Sequence, residues 1–133
     1  MTTISRSATF IVIGHLLVLF LHAFAHVKLG VYASPLGNVF IVVVIWLAPL
    51  AAIAMLWAGR IRTGVIVLLG AMSGSLLFGL YHHFIVISPD HVSHVPAGDE
   101  RELFQITAVL LAVVEAAGSS FGVWAWRVLR RDA

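Results

Sequence analysis

The chain contains no cysteine, and charged residues make up only 11% of its 133 residues. Without cysteine there are no disulfides, thiolate metal sites or iron–sulfur clusters, so any bound metal must be held by nitrogen and oxygen atoms. About a quarter of the residues of an ordinary soluble domain are charged, and the low fraction argues against that class. Hydrophobic residues make up 61% of the chain, and its mean hydropathy is +1.04. The composition indicates an integral membrane protein.

Four apolar stretches are each long enough to cross a bilayer, whose hydrocarbon core of about 30 Å requires roughly 20 residues of helix. We predict an all-α, polytopic integral membrane protein in which four transmembrane helices form a bundle. The breaks between the stretches are short, so a single domain occupies residues 1–133. The predicted helices cover residues 7–27, 36–58, 64–87 and 103–126, and an external loop covers residues 88–102.

Proline and glycine mark local features of these helices. Ser34 followed by Pro35 predicts the N-cap and the first residue of the second helix. Pro49 lies inside that helix and predicts a kink, because proline has no N–H to donate to the preceding turn. Gly70 and Gly74 form a GxxxG pattern in the third helix, which predicts close packing against a neighbouring helix.

The first stretch also has features of a secretory signal peptide. Arg6 is followed by an apolar run and by the sequence AFA at residues 23–25, which fits a cleavage site with small residues. His15 and His22 are poor residues for the apolar part of such a peptide. We therefore expect an uncleaved first helix.

Arginine and lysine are distributed unequally between the two ends of the predicted helices. Positive residues concentrate on the cytoplasmic side of membrane proteins, so we expect both termini to be cytoplasmic, in a bacterial or archaeal type of cytoplasmic membrane. The same distribution accounts for the net charge of +2, and we predict no nucleic-acid partner. The cytoplasmic end carries Arg6, Arg60, Arg62, Arg127, Arg130 and Arg131, against Lys28 and Arg101 at the other end.

Six of the seven histidines fall in the predicted external half of the protein. His22 and His26 lie one helical turn apart, and the third helix brings His82 and His83 to a similar depth. Imidazole is the commonest protein ligand for transition metals, so we predict a copper or zinc site with nearby carboxylates orienting the rings. The predicted metal ligands are His22, His26, His82, His83, His91 and His94, and the predicted orienting residues are Asp90, Asp99 and Glu102.

This histidine pattern is compatible with three functions. The first is metal binding, for metal acquisition or delivery or as a small subunit of a larger membrane complex. The second is electron transfer through a b-type haem held by one histidine from the first helix and one from the third. The third is a purely structural accessory subunit, whose histidines bind only water, backbone or headgroups. We favour the first, with the lipid bilayer and either further copies of the chain or other membrane proteins as partners. The pattern leaves open whether the protein is an enzyme.

Two ionisable residues lie deeper in the predicted membrane region. His15 continues the stripe of His22 and His26 along one face of the first helix, and Glu115 lies at about the same depth in the fourth helix. A charged side chain at the bilayer centre is costly, which makes Glu115 a candidate proton relay. Small residues share its helix face, so we expect Glu115 to face protein and to meet His15.

The predicted orientation can be tested with single cysteines, because the chain has none of its own. We expect a membrane-impermeant maleimide to label Ala97→Cys in intact cells and Arg62→Cys only after the cells are broken. Labelling of Ala97→Cys only in broken cells would reverse the orientation.

Overall fold

The computed structural model describes residues 3–131 and contains four long helices. Each helix is long and apolar enough to cross a membrane, and the described residues include no strand. The prediction of an all-α chain with four membrane-compatible helices is therefore confirmed. The helices are α1 (Thr3–Leu29), α2 (Pro35–Trp57), α3 (Ile61–Ile85) and α4 (Arg101–Arg131).

The fourth helix is longer than predicted at both ends. It begins at Arg101, so Arg101 and Glu102 belong to its first turn and not to the loop predicted at residues 88–102. The Phe104 amide donates to the Glu100 carbonyl at 2.9 Å, which fixes this first turn. Hydropathy locates only the apolar part of a helix, whereas charged flanking residues make the same backbone hydrogen bonds.

The predicted start of α2 is confirmed. Ser34 has an extended backbone, and its hydroxyl oxygen accepts a hydrogen bond from the Gly37 amide at 3.1 Å. Pro35 occupies the first turn, where a missing N–H costs nothing because the first amides of a helix have no partner within the helix.

Two segments of the helices are wound as π-helix. One is Ile41–Leu47, which ends two residues before Pro49, and the Ala48 amide there bonds to the carbonyl of Val43, five residues earlier. The other is Tyr81–Ile85, at the end of α3. Wider turns of this kind occur often at functional sites. The helix therefore accommodates Pro49 through wider backbone turns before it. The kink expected at Pro49 stays a prediction.

Small residues allow α4 to approach its neighbours closely. α4 packs on α3 and α1, and α2 packs on α3. A Cβ atom added at Gly122 would lie 3.1 Å from the Leu69 backbone. The predicted packing role of the GxxxG pattern is right for Gly74, where an added Cβ would meet Val44 at 3.1 Å. It is wrong for Gly70, which is exposed with no atom within 4 Å of an added Cβ.

The two ends of the molecule are formed by different segments of the chain. Val31 and Val95 pack in one apolar cluster with Ala25 and Phe104, so the 30–34 and 86–100 segments lie together, and we call this the loop end. The opposite end carries the start of α1 and the end of α2, joined by a hydrogen bond from the Trp57 indole to the Thr9 hydroxyl at 3.1 Å. Between the ends, large apolar side chains point outward, as a lipid environment requires.

The close contact at Gly122 predicts the effect of adding one methyl group. We expect Gly122→Ala to lower the free energy of unfolding by about 1–3 kcal/mol, because the Leu69 backbone cannot move away easily. Gly70→Ala is the matched control and should cause no loss, since its Cβ meets open space. Thermal unfolding in detergent micelles measures both, and equal stability of the two variants would contradict the packing described here.

Candidate metal centre

Three histidine side chains converge at the loop end. His22 and His26 come from α1, and His83 comes from the π-helical turn of α3. The Nε2 atom of His22 lies 3.2 Å from Nε2 of His83 and 3.1 Å from Nε2 of His26. His22 and His83 are only 4% and 7% exposed. Since their potential ligand atoms all lie within 4.8 Å of one another, this triad can hold a metal ion.

The buried face of α1 explains how two of these rings reach the same point. Positions three and four residues apart lie on one face of a helix, and the predicted stripe of His15 and His22 is part of that buried face. His26 follows one turn later at its edge. The buried residues of α1 are Ser5, Ala8, Val12, His15, Leu19, His22 and Ala25.

Only one of the two adjacent histidines in the π-helical turn of α3 joins the triad. Neighbouring side chains on a helix point in different directions, so His82 and His83 cannot both face α1. His83 is buried against His22, with the ring centroids 4.8 Å apart. His82 instead packs on Phe78, with a centroid distance of 4.3 Å. The structure does not bring His82 to the triad.

Backbone carbonyl oxygens fix the protonation of two of the rings. Nδ1 of His26 lies 3.0 Å from the Val31 carbonyl oxygen, and Nδ1 of His83 lies 3.0 Å from the Asp90 carbonyl oxygen. A carbonyl oxygen can only accept a hydrogen bond, so both Nδ1 atoms carry the proton and donate it. In the neutral ring, Nε2 is then left with a free lone pair.

A threonine fixes the third ring in the same way. Nδ1 of His22 lies 2.8 Å from the Thr107 hydroxyl oxygen. That hydroxyl donates its own proton to the Leu103 carbonyl at 2.6 Å, so it accepts from His22. Nε2 of His22 is therefore also unprotonated in the neutral ring.

The three free lone pairs consequently point at one another. Around a tetrahedral metal ion with metal–nitrogen distances of about 2.0–2.1 Å, neighbouring nitrogens lie about 3.3 Å apart. The observed separations of 3.1 and 3.2 Å are close to this value. Facing lone pairs repel each other, and a bound cation turns that repulsion into attraction.

Asp90 supplies an oxygen beside the triad. Its Oδ1 lies 3.4 Å from Nε2 of His26 and 3.1 Å from Nδ1 of His83, whose proton is already directed to the Asp90 carbonyl. Oδ1 is buried and has no hydrogen-bond partner among the described residues. Burial raises the pKa of the Asp90 carboxyl, but the close contact with the His83 ring, and then the nearby His26 and His22 rings, outweigh this and hold that pKa below its usual range. Oδ1 thus lies beside the triad, next to Nε2 of His26, as a candidate oxygen ligand.

Phe104 packs against one side of the triad. Its ring is fully buried, and its centroid lies 4.8 Å from that of His22, 4.9 Å from that of His26 and 5.5 Å from that of His83. An apolar ring in this place keeps water from the nitrogen atoms on that side. It thereby strengthens any electrostatic interaction within the triad.

The other predicted site residues of the 86–100 segment and the start of α4 lie apart from the triad. His91 and His94 pair with each other, with their Nδ1 atoms 3.3 Å apart, and the Ser93 amide donates to Nδ1 of His91 at 3.1 Å. Asp99 and Glu102 are exposed. Their predicted role in orienting the rings stays a prediction.

The predicted meeting of His15 and Glu115 is confirmed. Both are buried, and Nδ1 of His15 lies 3.6 Å from Oε1 of Glu115. Nε2 of His15 donates to the Ile45 carbonyl at 3.1 Å. In an α-helix this carbonyl would accept from the residue four positions later, which here is Pro49 and has no N–H. His15 therefore supplies a side-chain donor to the carbonyl that lies four residues before Pro49.

Sequence reasoning missed Thr107 and Phe104. Both lie on the buried face of α4 that also carries Leu111 and Glu115, at helical spacing of three and four residues. That periodicity places Thr107 on the same helix face as Glu115. The spacing is the one feature of the sequence that could have identified Thr107 as a buried residue near the site. Nothing in the sequence marks the Val31 and Asp90 carbonyls, because every residue has one.

Comparison with family models, curated proteins and solved structures finds no match to this chain.

The hydrogen bond between His22 and Thr107 predicts how the triad depends on its support. Thr107→Val keeps the shape of the side chain but removes the acceptor for the His22 Nδ1 proton, so the ring is no longer held with Nε2 facing the triad. We expect Thr107→Val to weaken metal binding by about 10- to 100-fold. Thr107→Ser keeps the hydroxyl and should bind nearly as the parent does.

Competition with a chromophoric chelator measures these affinities in micelles. Parent-like binding by Thr107→Val would show that the Thr107 acceptor does not orient His22.

Proposed function

We propose that this protein is an integral membrane protein that binds one transition-metal ion through Nε2 of His22, His26 and His83, with Asp90 as the fourth ligand. One observation carries the proposal: each ring has its Nδ1 proton directed to an acceptor, so that three lone pairs are left facing one point. Metal-binding histidines typically donate their second ring N–H to a carbonyl or another oxygen in this manner.

The donor set favours zinc or copper. Three imidazole nitrogens and one carboxylate oxygen suit Zn²⁺ and Cu²⁺, whereas Mg²⁺ and Ca²⁺ prefer oxygen ligands throughout. The nitrogen separations support a compact tetrahedral arrangement, which is the usual geometry of zinc.

Partial exposure of the ligands supports a role in metal acquisition or delivery. The side chains of His26 and Asp90 are 21% and 18% exposed, whereas His22 and His83 are buried. One side of the site is thus open to an arriving or departing ion, while Phe104 closes the other side. The protein performs this role in a bacterial or archaeal type of cytoplasmic membrane, with the loop end outside, as a homo-oligomer or as a subunit of a larger membrane complex. The unequal distribution of arginine supports that orientation.

The spacing of the nitrogens favours an ion over a b-type haem. In a haem with two histidine ligands, the porphyrin lies between the two nitrogens, about 4 Å apart if each iron–nitrogen bond is about 2 Å. Here Nε2 of His22 has two histidine neighbours at 3.1 and 3.2 Å, which leaves no gap for a macrocycle.

Metal content of single variants tests the proposal. Protein purified through a tag without histidine should bind one equivalent of Zn²⁺ or Cu²⁺. We expect His22→Ala, His26→Ala and His83→Ala each to lose most of that metal, because each removes one of three nitrogen ligands. Elemental analysis after removal of free metal measures the ratio.

His82→Ala is the matched control, because His82 is adjacent to His83 in sequence but packs on Phe78. It should retain the full equivalent of metal, as should His91→Ala combined with His94→Ala. Loss of metal only in the His91 and His94 double variant would show that these two histidines, and not the triad, bind the metal. A Soret band in the purified parent would favour the haem alternative.

A further inference from the structure

A cavity of about 220 Å³ lies directly beneath the triad. The rings of His22, His26 and His83 border one end, and Glu115 borders the other. The wall between them is mainly apolar and includes the aromatic rings of Trp46 and Phe78. The cavity therefore joins the two polar features of the protein's interior.

The packing of α2 explains why this space exists. The backbone of α1 packs closely on the Ala48–Trp57 part of α2, whereas Ile41–Leu47 packs on α3. Along the half of α2 nearest the loop end, α1 and α2 are bridged by side chains such as Leu19 and Ile45. The cavity lies between these two helices, with Ala23 and Val27 on one wall and Ile41 on the other.

Glu115 borders this cavity and makes no hydrogen bond within the part of the chain that the structure describes. It is 3% exposed, and within residues 3–131 its Oε1 lies 3.6 Å from Nδ1 of His15, beyond hydrogen-bonding distance. Nδ1 of His15 likewise has no hydrogen-bond partner among the described residues. A buried polar group without a partner is costly, and in native proteins such a group calls for a ligand or another explanation.

Gly79 brings the two ends of the cavity close together. A Cβ atom added at Gly79 would lie 3.8 Å from Oε2 of Glu115 and 3.8 Å from Cδ2 of His83. Glycine therefore leaves open the space that separates the carboxyl group from the triad. An alanine would fit there in ordinary contact, whereas a larger side chain would fill the space.

The geometry points to a binding site for a lipid-soluble aromatic molecule that carries an oxygen substituent, as quinones and phenols do, with that oxygen paired to the Glu115 carboxyl group. A cavity of about 150 Å³ lined by apolar side chains holds benzene, so 220 Å³ accommodates a substituted ring of this kind. The aromatic and aliphatic wall fits the ring, and the carboxyl group can donate to or accept from an oxygen atom. The inference does not depend on a metal in the triad.

A lipid acyl chain fits the site less well. An acyl chain also fills an apolar space between helices, but it has no group that can pair with Glu115 or with Nδ1 of His15. If an acyl chain occupied the cavity, Glu115 and Nδ1 of His15 would still lack hydrogen bonds. The free-energy cost of burying them would be the same as in an empty cavity.

A matched pair of ligands tests the inference. Duroquinone is a tetramethylbenzene ring with two carbonyl oxygens, and durene is the same ring without them. We expect the parent to bind duroquinone roughly tenfold more tightly than durene, the factor that one net hydrogen bond provides. Isothermal titration in detergent micelles, with empty micelles as the blank and with metal-free and zinc-loaded protein, measures the affinities.

Four variants locate the site. Glu115→Leu should bind both ligands equally, whereas Glu115→Gln should keep most of the preference for duroquinone. Gly79→Leu should abolish binding of both ligands by filling the cavity, and Gly70→Leu should bind as the parent does, because Gly70 is exposed with no atom within 4 Å of an added Cβ. The comparison of the two ligands on the parent needs no variant and stands if a variant does not fold.

Three results would overturn the inference. The first is that neither ligand binds the parent more than it binds empty micelles. The second is equal affinity for duroquinone and durene, which would leave an apolar void without a role for Glu115. The third is a lipid that native mass spectrometry finds bound to the parent and absent from Gly79→Leu, which would assign the cavity to an acyl chain.

Discussion

The whole site depends on where three ring protons lie. Each Nδ1 proton is held by an acceptor from a different part of the chain: the turn after α1, the segment after α3, and α4. Helices α1 and α3 place the rings, and these acceptors decide which nitrogen faces inward. Each such bond contributes about 1 kcal/mol to folding, and an ion that binds only the folded arrangement adds its own binding free energy. Fold and site thus stabilise each other.

A lipid environment, which the four long apolar helices fit, would explain how a cavity and a packed site coexist in so small a protein. In water, an apolar gap between helices would be closed by the gain from burying its walls. In a bilayer the surrounding tails are as apolar as the side chains, and helices are held by close contacts of small residues such as Gly118 and Gly122 on α4. The gap between α1 and the adjoining half of α2 therefore has little force acting to close it.

The sequence predicts those features that depend on periodicity and hydropathy. It predicts four apolar helices, the Ser34 cap, and the faces that carry His15, His22 and Glu115, because each of these follows from spacing along a regular helix. It does not distinguish His83 from His82, because that choice depends on a π-helical turn with no signature of its own. It also places Asp90 near the histidines without predicting that its backbone carbonyl, as well as its carboxylate, would meet His83. Contacts between segments far apart in sequence are set by packing and not by local pattern.

The use of main-chain oxygens at Val31 and Asp90 has a consequence for how this site tolerates sequence drift. A carbonyl group survives any substitution of its own side chain, so position 31 is free to vary among apolar residues without loss of the acceptor for His26. The spacing between each histidine and its acceptor, in contrast, must be kept. Val31 follows His26 by five positions, and Asp90 follows His83 by seven. An insertion or deletion in either interval would move the acceptor away while leaving every histidine in place. The number of residues in these two intervals, and not the side chain at the acceptor position, therefore sets the orientation of these two rings.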